Sequence, residues 1–465
     1  MRKYLIIGAL FLAIVAPLAL AFIYRGNKVT PKSVTLNYWI VEDDPTDYAA
    51  VVQAYQAVHP YVKFNFVKVK LEDYEKNLIN ALARDAGPDI FSLPNTWLKK
   101  YQDIILPLPN QTRVAWYETK KNIIGQSVNV KYATSASINL AELSSNYIDV
   151  VQKDVVLTDS SGLAKIYGLP YSVDTLGLYY NEDLLNNAHL PAPAKTWQEL
   201  VIQCSKLTLL DQQNNILQSC IALGLSSNIK NYFDILSLIM MQNGTQMLTA
   251  DGKKVSFSQG VEAGDLGVRA LDFYTGFTDL NKETYSWNSK QPESLDAFIS
   301  GKSAYYLGYL SEKELIQAGA PGLNLGITEI FHINIDGTDR VLNPAGNPVQ
   351  INYGGYWVET VAKKTKAPNE AWDFIQVLAR EKRNITYVAT TGKISPLKSV
   401  LQEQIKNPDL QVWANQALTA QSWYKGRDAS LAKDYFKEMI DSVALEEADL
   451  GQAINLAAQK IEKTL

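Results

Sequence analysis

Apolar positions between residues 34 and 91 switch between two periods. Val34 to Val41 (VTLNYWIV) reads as a buried strand. The next apolar residues, Val51, Tyr55 and Val58, recur at i, i+4 and i+7, the spacing of one helix face. Asp44 supplies a cap for that helix, Pro45 a first helical residue and Asp47 a negative charge at the positive end of its dipole. Val62, Phe64 and Phe66 then alternate in a second strand over 62–69. Tyr74, Leu78 and Leu82 mark a second helix ended by Gly87-Pro88, and Asp89-Ile90-Phe91 opens a third strand. This order predicts right-handed crossovers and a mainly parallel sheet covered on both faces. The alternation returns downstream. TLGLYYN (175–181), Ile221–Leu225, SAYYLGYL (303–310) and WVETVA read as strands. Helices are expected in WQELVIQCSKL behind a Thr196 cap, at 231–242, 261–276, 292–300 and 369–380, and through a helical tail from about 399 to 465.

A length of 465 residues suggests two or three folded units, and 47% apolar with 20% charged residues is ordinary globular composition. A net charge of -4 lacks the basic excess that a phosphate backbone requires, which argues against a nucleic-acid partner. Tyr outnumbers Phe by 26 to 13, so the aromatic inventory leans toward rings with a polar tip, suited to wet binding surfaces. Residues 4–24 carry no charge and lie between Arg2-Lys3 and Arg25. They are long enough to span a bilayer as an N-terminal anchor, with the rest of the chain outside. The rival reading is a cleaved signal, with Pro17 closing a short apolar region before the small-x-small site Ala19-Leu20-Ala21. No cysteine stands near this segment for a lipid anchor.

Cys204 and Cys220 are compatible with one disulfide or with two buried thiols. His59, His189 and His332 share no metal-ligand spacing, so no metal site and no cofactor is expected. Gly301-Lys302-Ser303 resembles the end of a phosphate loop, but Asp296 replaces its first glycine. There is no G-x-G-x-x-G turn and no G-x-S-x-G nucleophile elbow. Paired carboxylates such as Asp174 with Asp183, or Asp43 with Asp44, leave glycoside hydrolysis as an alternative activity.

The specific signals are longer. Ala86-Gly87-Pro88-Asp89-Ile90-Phe91 with Asn95 and Trp97 resembles a first-lobe signature of extracellular solute-binding proteins that serve ABC importers. Tyr167-Gly168-Leu169-Pro170-Tyr171 with Asp174 through Asn181, then Asp183-Leu184-Leu185 and Thr196-Trp197, is similar to the segment where that family crosses between lobes. Ala297-Phe298 with Gly301-Lys302-Ser303-Ala304, Gly354-Gly355, and Ala371-Trp372-Asp373-Phe374 match later family stretches. The resemblance covers nearly everything after residue 33 and points to the maltose- and oligosaccharide-binding members.

It implies an α/β chain with the two-lobed periplasmic-binding-protein-like fold of type II. The expected division is an anchor or signal and linker at 1–33, a first lobe at 34–172 and 353–398, and a second at 173–352 and 399–465. It implies a monomer, not an enzyme, that captures a small-molecule solute, expected to be an oligosaccharide, between the lobes. Delivery is to ABC transporter permease subunits outside the membrane, with tethering through the N-terminal segment; a solute-binding sensor accessory is a further alternative. Sugar sites combine flat aromatic faces with planar polar groups. By resemblance, Glu42, Asp43 and Asp44 fall in a cleft-lining loop after the first strand, Asn95 and Trp97 follow the third, and Asp174 sits at the crossover. Tyr232 opens a second-lobe helix, and Tyr309 ends its strand on the face of Tyr305 and Leu307. Tyr353 and Tyr356 flank Gly354-Gly355, and Trp423 lies in the loop before the last long helices. The chain has acids where relatives carry basic first-lobe residues.

Overall fold

In the computed structural model, residues 31–122, 125–259, 266–331 and 350–465 are described. The strands of its first half are β1 (Val34–Ile40), β2 (Val62–Lys68), β3 (Ile90–Pro94), β4 (Ile105–Leu106), β5 (Gln111–Asn122), β6 (Gly125–Ala136), β7 (Val156–Thr158) and β8 (Ala164–Ile166). Those of the second half are β9 (Asp174–Asn181), β10 (Leu209–Leu210), β11 (Ile216–Ile221), β12 (Ser303–Tyr309), β13 (Leu325–Thr328), β14 (Asn352–Gly355), β15 (Trp357–Ala362) and β16 (Ala420–Gln421).

Two sheets organise the chain. The first has the order β2-β1-β3-β15-β4, with β1 parallel to β2 and β3 and with β15 antiparallel to β3 and β4. The second has the order β10-β11-β12-β9-β14-β16, with β13 also on β9. There β11 and β12 are parallel, as are β14 and β16, while β9 runs against β12, β13 and β14. The reversed strands β9 and β15 are the ones that bring the chain across. Ser172-Val173 lead into β9 from Tyr171, which is buried in the first core, and Tyr356 alone separates β14 from β15. The mainly parallel sheets read from the sequence are thus interrupted where the lobes exchange chain.

Helices cover both sheets and give two cores. The first gathers Tyr38, Tyr48, Tyr74, Phe374 and Trp372, and the second Trp197, Trp287, Phe233, Phe436 and Trp423. Thr196 caps its helix as read, accepting the Glu199 N–H at 3.1 Å. Asp44 is followed by a short 3-10 turn, Pro45–Tyr48, before the helix Ala49–Gln56.

Some elements differ from the pattern-based expectation. β11 ends at Ile221, and Ala222, Leu223 and Leu225 are buried beyond it, where Gly224 at φ +102° turns the chain out of any ladder. The helix expected from 261 is seen as Leu266–Thr275, its start lying outside the described residues. The helical tail is broken by β16. The hairpin β5–β6, paired from Gln111↔Ala136 to Asn122↔Gly125, had no counterpart in the pattern. The segment 4–24 and His332 lie outside the described residues, and among the described residues no helix is long and apolar enough to cross a membrane.

Cys204, on helix Trp197–Leu207, and Cys220, on β11, form a disulfide across a sequence separation of 16. Both are fully buried. Replacing both by alanine is expected to lower stability by about 3 kcal/mol, the loop-closure contribution for a chain of that length. A urea midpoint unchanged from that of the parent would show that the bond contributes nothing.

Candidate functional site

Beside the crossovers lies a small pocket open to solvent. Its walls come from the end of β1 and the residues after it (Ile40, Val41, Glu42, Asp43), from Ser92 on β3, and from Trp357 and Glu359 on β15. Tyr171 and Ser172 at the first crossing, together with Tyr387 and Lys393, complete it. The C-terminal end of a parallel strand leaves its loop free to face the opposite lobe, which is why β1 delivers Glu42 and Asp43 here.

Asp43 accepts the Tyr48 hydroxyl at 2.5 Å and the Tyr387 hydroxyl at 2.7 Å, and it pairs with the Lys393 ammonium. Burial alone would raise its carboxyl, but Lys393 and these hydroxyls outweigh burial and hold it below the ordinary range. Burial lowers Lys393 in turn, and the carboxylates of Asp43, Glu42 and Asp174 outweigh that and hold its ammonium above the usual value. Glu42 stays largely exposed, 3.6 Å from Lys393. Asp44 points away and pairs with Lys68 at 3.0 Å. Glu359 accepts from Tyr38 at 2.6 Å and from Ser92 at 2.9 Å, and burial, reinforced by the charge of Asp43, pushes its carboxyl up to about 8.

Asp174, first residue of β9, accepts the backbone N–H groups of Leu310 and Ser311, each at 3.0 Å, and of Thr175 at 2.8 Å. It thereby ties the crossover to the turn after β12. Burial outweighs these donors and raises its carboxyl to about 7. Across the ladder, Asp174 is paired with Gly355, where an added Cβ would stand 3.0 Å from the Tyr309 hydroxyl. A side chain at 355 would displace that ring. Tyr309 donates to Asp234 at 2.9 Å, and buried Tyr353 also bonds Asp234.

A third group gathers on Asp154 of helix Asp149–Val155. Asn95 donates to it at 2.8 Å, Tyr356 at 2.6 Å and Ser422 at 2.6 Å, and Lys425 pairs with it. Trp97 stacks on Tyr101 and packs against both cores. Tyr232 is half-buried and donates to the Lys433 carbonyl at 3.1 Å. Trp423 is 4% exposed within the second core, stacked on Phe233 and Phe436, and its indole N–H reaches Ser237 at 2.8 Å.

The structure therefore brings Glu42 and Asp43 to the pocket, with Asp174 close enough to act on it electrostatically. Tyr309 and Tyr353 meet at Asp234, and Asn95 and Tyr356 meet at Asp154. Asp44, Tyr232 and Trp423 belong to none of these groups. Lys393, Glu359, Trp357, Tyr171, Asp234, Asp154 and Lys425 were not read as site residues. The only sequence signals for them were the position of Tyr171 in the Tyr167–Tyr171 stretch and of Trp357 beside Gly354-Gly355.

Two sheets that exchange reversed strands across an open pocket define the architecture of a two-lobed binding protein. Residues 40–384 match the family described as bacterial extracellular solute-binding protein, and the chain belongs to it. A cyclic alpha-maltosyl-1,6-maltose binding protein from Arthrobacter globiformis is similar in structure, with a TM-score of 0.69 at 19% identity over 93% of this chain and 98% of that one. A cyclo/maltodextrin-binding protein complexed with maltotetraose gives 0.66 at 17% identity over 94% and 98%. In sequence, a probable ABC transporter-binding protein of Deinococcus radiodurans is 23% identical over 388 residues, 77% of this chain and 86% of its own length. A binding protein of Brucella abortus is 21% identical over 369 residues, 78% and 76% of the two chains. The family resemblance read from the motifs is borne out, and so is the two-lobed α/β fold.

Proposed function

We propose that the protein captures a carbohydrate in the cleft beside its crossovers and presents it, outside the membrane, to the permease subunits of an ABC importer. The observation that carries this reading is the pocket at the crossing, where carboxylates, an ammonium and the half-buried indole of Trp357 face open space. Hydroxyl-binding planar groups beside an aromatic face suit a pyranose. The relatives add support through the sugars named with the similar structures and the transporter named with the Deinococcus protein. In this reading the lobes are 34–172 with 353–398 and 173–352 with 399–465, the N-terminal segment tethers a monomer, and the lobes close on the solute by hinge bending. Glu42 and Asp174 contact it directly and Asp43 holds Lys393 beside it, with Tyr309, Tyr353, Asn95, Trp97 and Tyr356 shaping the cleft around it.

Tryptophan fluorescence of the full-length protein, titrated with maltotriose, cyclic oligosaccharides and peptides, tests this. A saturable response to a saccharide without release of reducing ends is expected. Silence across all saccharides would discard the carbohydrate, and product formation would favour a glycosidase. Asp174→Ala is expected to weaken saccharide binding roughly tenfold, the scale of one hydrogen bond to a charged group, while far-ultraviolet circular dichroism stays that of the parent. Undiminished affinity would remove Asp174 from the site.

A further inference from the structure

The pocket between Glu42 and Lys393 holds more carboxylate than cation. Lys393 faces both Asp43 and Glu42, and Asp174 acts on the same ammonium. The oxygens of Asp43 are occupied by Lys393 and two tyrosine hydroxyls, but the Glu42 side chain is 45% exposed and open to a further donor. Aromatic rings form much of the remaining wall, from Tyr171, Tyr387 and Trp357. Tyr171, only 2% exposed, lines this pocket, and its hydroxyl has the Tyr38 hydroxyl as its one neighbour, with lone pairs left unused. The neighbouring Tyr38 hydroxyl is committed to Glu359 at 2.6 Å.

Lone pairs left unused on a buried hydroxyl invite a donor. Surplus carboxylate, aromatic faces and a vacant acceptor are together the surroundings that favour an ammonium group over a neutral hydroxyl.

The geometry points to a solute that carries a protonated amine. Resting on the carbohydrate reading of this cleft, that solute is an amino sugar whose ammonium sits between Glu42 and the Tyr171 hydroxyl, with its ring against Trp357. Lys393 then neutralises Asp43 and the ligand neutralises Glu42.

Calorimetric titration of the full-length protein at about pH 6, where amines are protonated, with four probes tests this. They are chitosan trisaccharide, chitin trisaccharide with the same amines acetylated, maltotriose and spermidine. The free-amine trisaccharide is expected to bind about tenfold or more tighter than its acetylated form, the size of one charge-assisted hydrogen bond. Glu42→Gln, at an exposed position that leaves folding untouched, is expected to erase that preference, and Tyr171→Phe to reduce it. Equal affinity for the two trisaccharides overturns the amine inference and leaves the carbohydrate reading standing. Spermidine binding without any saccharide binding upholds the ammonium site and discards the sugar. No binding of either amine probe overturns the inference outright.

Discussion

Lys425→Met is expected to destabilise the protein by about 3–5 kcal/mol, because it leaves a buried carboxylate without its counter-charge. The Asp154 side chain has no solvent exposure, while Lys425 is 28% exposed. The other donors to Asp154, from Asn95, Tyr356 and Ser422, are neutral and solvate the carboxylate without cancelling its charge. The pair also joins the two cores. Val150, Val151 and Val155 of the Asp154 helix pack in the first, whereas Trp423 and Tyr424, beside Lys425, pack in the second. Urea unfolding should show the loss in the midpoint. Adding Asp154→Asn should recover part of it, since an amide can be satisfied by the neutral donors that remain. A single-variant loss below about 1 kcal/mol, the level of an exposed pair, would mean that Asp154 is hydrated in solution.

The strands that scaffold the cleft were legible because each carries its own pattern. β1 and β9 are apolar runs, β2 alternates, and β12 places Tyr305 and Leu307 on the second core and Tyr306 on the first, as strand periodicity requires. The hairpin β5–β6 was not legible, since Thr112, Val114 and Ala115 are buried while Trp116 and Tyr132 stay exposed, and neither period dominates. The tyrosine surplus was read as a sign of wet binding surfaces. Much of it is internal, with Tyr38 on Glu359, Tyr55 on Asp373 and Tyr48 with Tyr387 on Asp43, hydroxyls that solvate buried carboxylates. Within the site, Glu42 and Asp43 could be found because they end a strand. Their partner Lys393 follows Gly392, a left-handed helix cap at φ +69° that announces only the end of its own helix. Nothing local in the chain says that this lysine meets a carboxylate 350 residues away. Asp154 was invisible for the same reason, as its donors come from three separate segments.

Glu359→Gln is expected to leave stability nearly unchanged near pH 5 and to stabilise the protein progressively as pH rises to about 8. The folded carboxyl ionises near 8, against an ordinary value of 4.5, because it is buried against Tyr38, Ser92 and the charge of Asp43. Between those values the unfolded chain has released the proton that the folded protein still holds. The folded state therefore loses stability as pH climbs through this window and loses no more from this group above about 8. The gap of about 3.5 pH units, at about 1.4 kcal/mol each, bounds the effect at roughly 5 kcal/mol. Glutamine mimics the protonated acid: its carbonyl can keep the Tyr38 hydroxyl and its amide can donate to the Ser92 oxygen. Asp43, Lys393 and Asp174 titrate in both proteins, so the difference between variant and parent reports position 359 together with its coupling to Asp43 and Lys393. Urea unfolding of the pair at intervals from pH 5 to 9 reads that difference directly. A difference that stays flat across the range would show that Glu359 ionises in the folded protein as it does in water, and that the floor of the pocket carries a full negative charge.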